Sequence, residues 1–197
     1  MKLILASTSR YRRELLERLR LPFECIAPGV DETVVPGELP EPLSLRLSVE
    51  KARAVALRHP DAVVIGSDQT ASIDGLTSIG KPGDHQRAVE QLRAASGREL
   101  IFHSSMAILR LNDGFDRRLT VDTRVRFRNL SDIEIESYLR AEMPYDCAGA
   151  AKCEGLGISL LDAIDSTDPT AIIGLPLIKL SAILREAGFV LPGPPAR

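Results

Sequence analysis

Histidine and cysteine are scarce in this chain, and the few present are scattered. Cys25, Cys147 and Cys153 are an odd set with no C-x-x-C pair and no histidine nearby. That spacing argues against a zinc site and a disulfide framework, and a reducing cytoplasm fits it best. His59, His85 and His103 fall on a helix end, a helix start and a strand, without metal-ligand spacing, so they read as surface or core residues. Long apolar runs are missing as well: Leu3 to Ala6 is far shorter than a signal-peptide core, and nothing later approaches a membrane span. Charge of one sign is not in excess either. With 25 Lys and Arg against 27 Asp and Glu, the net charge is −2 at pH 7, so no global field draws the chain to nucleic acid or an anionic membrane, and any anion site must be local. No G-x-x-x-x-G-K-S/T string occurs, which disfavours a P-loop kinase or GTPase. There is no internal repeat.

What remains is an even mixture, 44% hydrophobic and 26% charged over 197 residues, enough for one α/β domain spanning residues 1–197. The tail PGPPAR, from about residue 192, reads as frayed. LILASTSRYRRELLERLR runs a short strand through a serine-rich turn into a helix with apolar Leu15, Leu16 and Leu19, and PFECIA predicts a second strand. A Pro/Gly-rich loop follows with Asp31 and Glu32, then a helix over about 44–57 whose stripe is Leu45, Val49, Ala52 and Ala56, with Lys51 beside it. AVVIG predicts a buried strand ending at Ser67, Asp68 and Gln69, and TASIDGLTSIGKPG a hairpin. Another helix is expected over about 84–95. Two long strands joined at Asn112, Asp113 and Gly114 follow, then helices over about 132–142 and 176–186. The long hairpin could form a lobe facing the terminal elements across a cleft. In DSTDP, Asp165 and Asp168 are expected to order the loop before the last helix by capping.

The chemistry clusters at turns. The first helical turn carries Arg10, Arg12 and Arg13 where the macrodipole disfavours cations, which suggests an anion at Ser7, Ser9 and these guanidinium groups; an exposed basic turn is the plain alternative. Glycines 66, 80 and 83 allow close approach of backbone to a ligand. Asp68 and Lys81 offer a carboxylate that draws a proton from water or holds a divalent cation, and an ammonium that offsets charge on a phosphoryl oxygen. Taken singly, a turn cap and a solvated loop charge are the plainer explanations, because SDQ and GKP are short strings with many accidental matches.

Taken in order, LASTSRYRRELL, VDE at 30–32, EKA at 50–52, GSDQ at 66–69, GKP at 80–82, YDCAGAAKCEGLG and DPTAIIGLPL resemble the Maf family of nucleotide pyrophosphatases along nearly the whole chain. The resemblance implies an α/β fold of a mixed twisted sheet flanked by helices, with two lobes around a deep cleft. It also implies hydrolysis of a nucleoside triphosphate to the monophosphate and pyrophosphate. By motif, Asp68 would accept the proton, and Ser7, Arg12, Arg13, Glu32, Lys51 and Lys81 would bind phosphates or metal. The implied cofactor is a divalent cation, Mg²⁺ or Mn²⁺, and relatives suggest a homodimer. Tyr11, Gln69 and Glu154 look like the branch that hydrolyses 7-methyl-GTP, with dTTP or UTP hydrolysis, or a non-catalytic nucleotide-binding regulator, as alternatives. A base made cationic by N7-methylation suits an aromatic face and a carboxylate acceptor. Alternatively, Tyr11 packs on its own helix and Glu154 is a surface charge. Arg10 and Tyr11 stand where the family pattern has proline and a larger aromatic residue.

Overall fold

The computed structural model describes residues 1–193; residues 194–197 of the tail expected to fray lie outside the described residues. Six strands, β1 (Leu3–Leu5), β2 (Glu24–Cys25), β3 (Val63–Ser72), β4 (Glu99–Arg110), β5 (Phe115–Phe127) and β6 (Leu161–Ser166), form one sheet in the order β2-β1-β3-β4-β5-β6. β1 runs parallel to β2 and β3, and every other neighbour is antiparallel. Five α-helices accompany it among the described residues: α1 (Arg10–Glu17), α2 (Pro40–Ala56), α3 (His85–Ala95), α4 (Asp132–Glu142) and α5 (Leu177–Glu186). The sheet is therefore mixed and flanked by helices, as expected.

Local chemistry explains the element ends. Gly114 at φ 72 closes the β4–β5 connection in the left-handed region, which glycine adopts without a Cβ penalty. Ser131 and Glu134 form a reciprocal capping box at the start of α4. Asp168, fully buried, accepts from the amides of Ile178 and Lys179 at 2.7 and 3.1 Å and so caps α5. Asp165 instead lies on β6, a short edge strand hidden in the sequence by its polar residues.

The helices divide between the two faces. Leu15 and Leu16 of α1 and Leu180, Ile183 and Leu184 of α5 pack with Leu3, Leu5, Val63, Ile65, Met106 and Ile108. Further along that face, α3 and α4 cover Ala71, Leu100, Phe102, Val125 and Phe127. α2 crosses the opposite face over Ile4, Val64, Ala107 and Leu109. Its buried side consists of Leu43, Ser44, Leu47, Ser48, Lys51, Ala52, Val55 and Ala56, so the expected stripe of Leu45 and Val49 is displaced by one residue and Lys51 lies within the buried face. The helix begins at Pro40, a tolerated first-turn residue. The small residues permit a close approach. A Cβ on Gly66 would stand 2.1 Å from the Ser48 carbonyl oxygen and 2.5 Å from the Ala52 amide nitrogen. Gly66 is therefore fitted against a helix, and not against a ligand as the sequence suggested.

β1 stops at Leu5, paired with Ile65, while β3 continues to Ser72. Residues 66–72 of β3 thus have β4 on one side and a notch on the other. Asp68 lies mid-strand beside this notch and not at the strand's end as expected. The hairpin expected after it pairs through one bridge, Ala71 to Ile79.

Candidate active site

A cavity of about 650 Å³ fills the notch. Its walls come from the 6–12 turn, the 28–34 loop, α2, β3, the 78–81 loop, the 146–154 segment and the turn at 172–173. At its centre the Lys51 ammonium lies 2.6 Å from Asp68 Oδ1 and 2.8 Å from Glu32 Oε1. The Lys51 and Asp68 side chains are only 7% and 10% exposed, whereas Glu32 is 58% exposed, so a buried ion pair meets one carboxylate reaching in from a loop. Asp31 shapes that loop by accepting from the Thr33 amide and hydroxyl at 2.9 and 2.6 Å, bonds that hold its own carboxyl below the usual range.

Ser7 Oγ accepts from the Ser9 amide at 3.1 Å, and Ser9 caps α1, so the first turn of α1 faces the cavity in a fixed pose. Arg12 is half-buried, with Nε donating to the Gly174 carbonyl at 3.1 Å. Burial lowers the guanidinium pKa, opposed by the attraction of Asp68 and Glu32. Lys81 is solvent-accessible on the cavity wall and forms no ion pair among the described residues. Its loop is fastened by the Gly83 amide to the Tyr145 carbonyl at 3.0 Å and by Gln91 Nε2 to the Gly80 carbonyl at 3.1 Å.

Another part of the cavity is lined by Tyr11, Asp146, Cys147 and Glu154. Burial, with smaller repulsions from Glu142 and Asp146, raises the Glu154 carboxyl above its usual range. The segment carrying Glu154 is anchored by Glu142, which pairs with Lys152 and accepts from the Leu156 amide at 2.8 Å. Gln69 Nε2 is engaged by Ser104 Oγ at 2.8 Å and by the carbonyls of Ala171 and Ile172, each at 3.0 Å. These bonds fix the amide of Gln69, which lies on the cavity wall. Ser67 and Ser104 donate to the carbonyls of Gly174 and Ala171 at 2.9 and 2.6 Å. Together with Arg12, these side chains strap the 171–174 turn across β3 and β4.

The structure thus brings Ser7, Tyr11, Arg12, Glu32, Lys51, Asp68, Gln69, Lys81 and Glu154 to one cavity. Arg13 is not among them. It is exposed and pairs with Glu17 one turn along α1 at 3.1 Å, because residue 13 is rotated away from the face that Arg12 presents. Two further parts of the cavity wall were not singled out within their motifs: Asp146, a lone carboxylate in a loop, and the turn at 171–174, which is held through its backbone carbonyls.

The fold is that of the HAM1 proteins. The structure of a HAM1 protein from Coxiella burnetii superposes with a TM-score of 0.52 at 14% identity, covering 94% of this chain and 99% of the other. The family follows from sequence: the Maf-like protein model matches residues 2–187, and the chain belongs to that family. A 7-methyl-GTP pyrophosphatase of Burkholderia pseudomallei is 59% identical over 99% of this chain and 92% of its own length. One from Bordetella pertussis is 60% identical over 99% and 97%, and one from Polaromonas sp. is 57% identical over 96% and 86%. No helix among the described residues is long and apolar enough to cross a membrane.

Proposed function

We propose that this protein hydrolyses 7-methyl-GTP to 7-methyl-GMP and pyrophosphate. The observation that carries the reading is the ammonium of Lys51 held between Asp68 and Glu32 in a cavity that also receives Arg12 and Lys81. Cations in that number around a buried carboxylate match a polyphosphate with one bond to be hydrolysed. Tyr11, Gln69 and Glu154 supply an aromatic face, an amide and a carboxylate suited to a cationic purine. The names of the relatives from Burkholderia pseudomallei and Bordetella pertussis support the same substrate.

The residues fit a divalent ion. Glu32 Oε1 and Asp68 Oδ1 lie 2.8 and 2.6 Å from the same Lys51 ammonium, so two carboxylates with hard oxygen donors stand close together beside the position that the ammonium fills, and these two residues would hold the ion. No group of three or more His, Cys, Asp or Glu placed to hold a metal occurs among the described residues. That donor set suits Mg²⁺ or Mn²⁺ shared with substrate phosphates, not a closed protein cage. Bound there, the ion would neutralise phosphate charge. The chain's own groups do the rest. Arg12, Lys51 and Lys81 hold the triphosphate, Asp68 takes the proton from the water attacking the α-phosphorus, and the same cations offset the charge on departing pyrophosphate.

Pyrophosphate release with Mg²⁺ from equal concentrations of 7-methyl-GTP, GTP, dTTP and UTP tests this reading. 7-Methyl-GTP is expected to be turned over fastest, and Asp68→Asn to lose about 100- to 10,000-fold in rate while still binding nucleotide. Preference for UTP would overturn the base assignment, and absence of pyrophosphate from every nucleotide would leave a binding protein.

A further inference from the structure

Arg10, the first residue of α1, places its guanidinium carbon 4.7 Å from the centroid of the Tyr11 ring. Its Nη2 donates to the Tyr11 hydroxyl at 2.6 Å and lies 3.8 Å from Asp146 Oδ2. The Tyr11 hydroxyl is in turn 3.4 Å from both oxygens of Asp146. All three residues line the cavity with Glu154. A guanidinium is a planar, delocalised cation, and here it has an aromatic face and a carboxylate for company. A purine ring carrying a delocalised positive charge calls for the same two partners.

We propose that Tyr11 and Asp146 together read the positive charge of the base, and that Arg10 holds this pair until a cationic base displaces it. Asp146 is then a specificity residue and Arg10 an internal competitor. The inference rests on the reading above that the base is a cationic purine. The strength of the contacts suits exchange. The Arg10 and Asp146 side chains are 66% and 54% exposed, and an ion pair that open to solvent contributes little to stability. Asp146 has no other ion-pair partner among the described residues. Glu154 adds a second carboxylate, and the repulsion between the two is relieved by a cation seated against them.

The test is equilibrium binding of 7-methyl-GMP and GMP, compared by calorimetry for the wild type, Asp146→Asn and Arg10→Ala. Neither nucleotide has a pyrophosphate to lose, so discrimination is read without turnover. Asp146→Asn is expected to weaken 7-methyl-GMP about fivefold and GMP less than twofold, and Arg10→Ala to tighten 7-methyl-GMP about threefold. Equal weakening of both nucleotides by Asp146→Asn would overturn the proposal alone. Equal weakening by Arg10→Ala would do the same, by assigning Arg10 to the phosphate. A wild type that binds the two nucleotides equally would overturn it together with the base assignment, and loss of pyrophosphate release is scored separately.

Discussion

Gly66→Ala tests how the site is built, because the residue lies outside the cavity yet sets the distance between its two central charges. The added methyl would lie 2.1 Å from the Ser48 carbonyl oxygen, 2.5 Å from the Ala52 nitrogen and 2.9 Å from the Ala52 Cβ. The first two are backbone atoms of α2, so no rotamer change relieves the clash. Restoring ordinary contact near 3.4 Å requires the helix to retreat by about 1.3 Å. Lys51 precedes Ala52 on that helix, and its 2.6 Å contact to Asp68 opens accordingly. Overpacking commonly costs about 1–3 kcal/mol, and with backbone on both sides the upper figure applies. For a domain of this size that lowers Tm by about 6–12 °C. A displacement of about 1 Å at a catalytic group costs about 100-fold in rate. Scanning calorimetry, with Gly80→Ala as its control, reads the first effect, and pyrophosphate release by Gly66→Ala and the parent reads the second. Nothing stands within 4 Å of a Cβ at Gly80, so that variant should melt like the parent. A Gly66→Ala protein that keeps the parent's Tm and kcat would refute the close approach of α2 as the determinant of the site.

Lys51→Met leaves Asp68 buried without its ammonium and should cost about 3 kcal/mol in urea unfolding, part of it restored in Lys51→Met/Asp68→Leu. Glu142→Gln weakens the anchor to Lys152 and the Leu156 amide; a loss of about 2 kcal/mol is expected, with KM for 7-methyl-GTP rising more than kcat falls because the Glu154 segment loosens. Ser131→Ala should cost about 1 kcal/mol at pH 7. Bonds to the Ser131 amide and hydroxyl and to Arg128 hold the Glu134 carboxyl at about 2 instead of 4.5, so the stability they add is present above pH 4.5 and fades as pH falls towards 2; the gap between the unfolding curves of variant and parent should narrow over that window, leaving the share due to the bond from the Glu134 amide to Ser131 Oγ. Burial pushes the Cys147 and Cys153 thiols up to about 12 while Cys25 is exposed, so iodoacetamide at pH 8 should label Cys25 first; equal uptake at two or three positions in intact-mass spectra would refute this.

Much of the architecture was legible because side-chain period and turn chemistry agree. Ser131 to Glu142 carries its cap and its apolar positions together, and Asn112–Gly114 marks the bend between two long strands. Reading failed where the chain serves a cavity and not a core. Ser67, Asp68, Gln69 and Thr70 break the apolar run of β3, so the strand looked finished where it continues to Ser72. β6 alternates half-buried with exposed residues at the sheet edge and resembles a loop. Ser7, Tyr11, Arg12, Glu32, Lys51, Asp68, Gln69, Lys81 and Glu154, singled out from separate motifs, line one cavity. Arg13 shares a motif with Arg12, yet helical rotation turns it towards Glu17. Asp146 was not singled out from its motif, because its contact to Tyr11 spans 135 residues of the chain.

The strap beneath the cavity has a consequence for a chain still being made. Arg12 leaves the ribosome early, but the Gly174 carbonyl that fixes its guanidinium is 162 residues further on, and Ser67 and Gln69 wait for the same turn. A nascent chain that already carries every cation and both central carboxylates therefore has no rigid floor to aim them. Competence waits until residues 171–174 have been added and can bond to Arg12, Ser67 and Gln69.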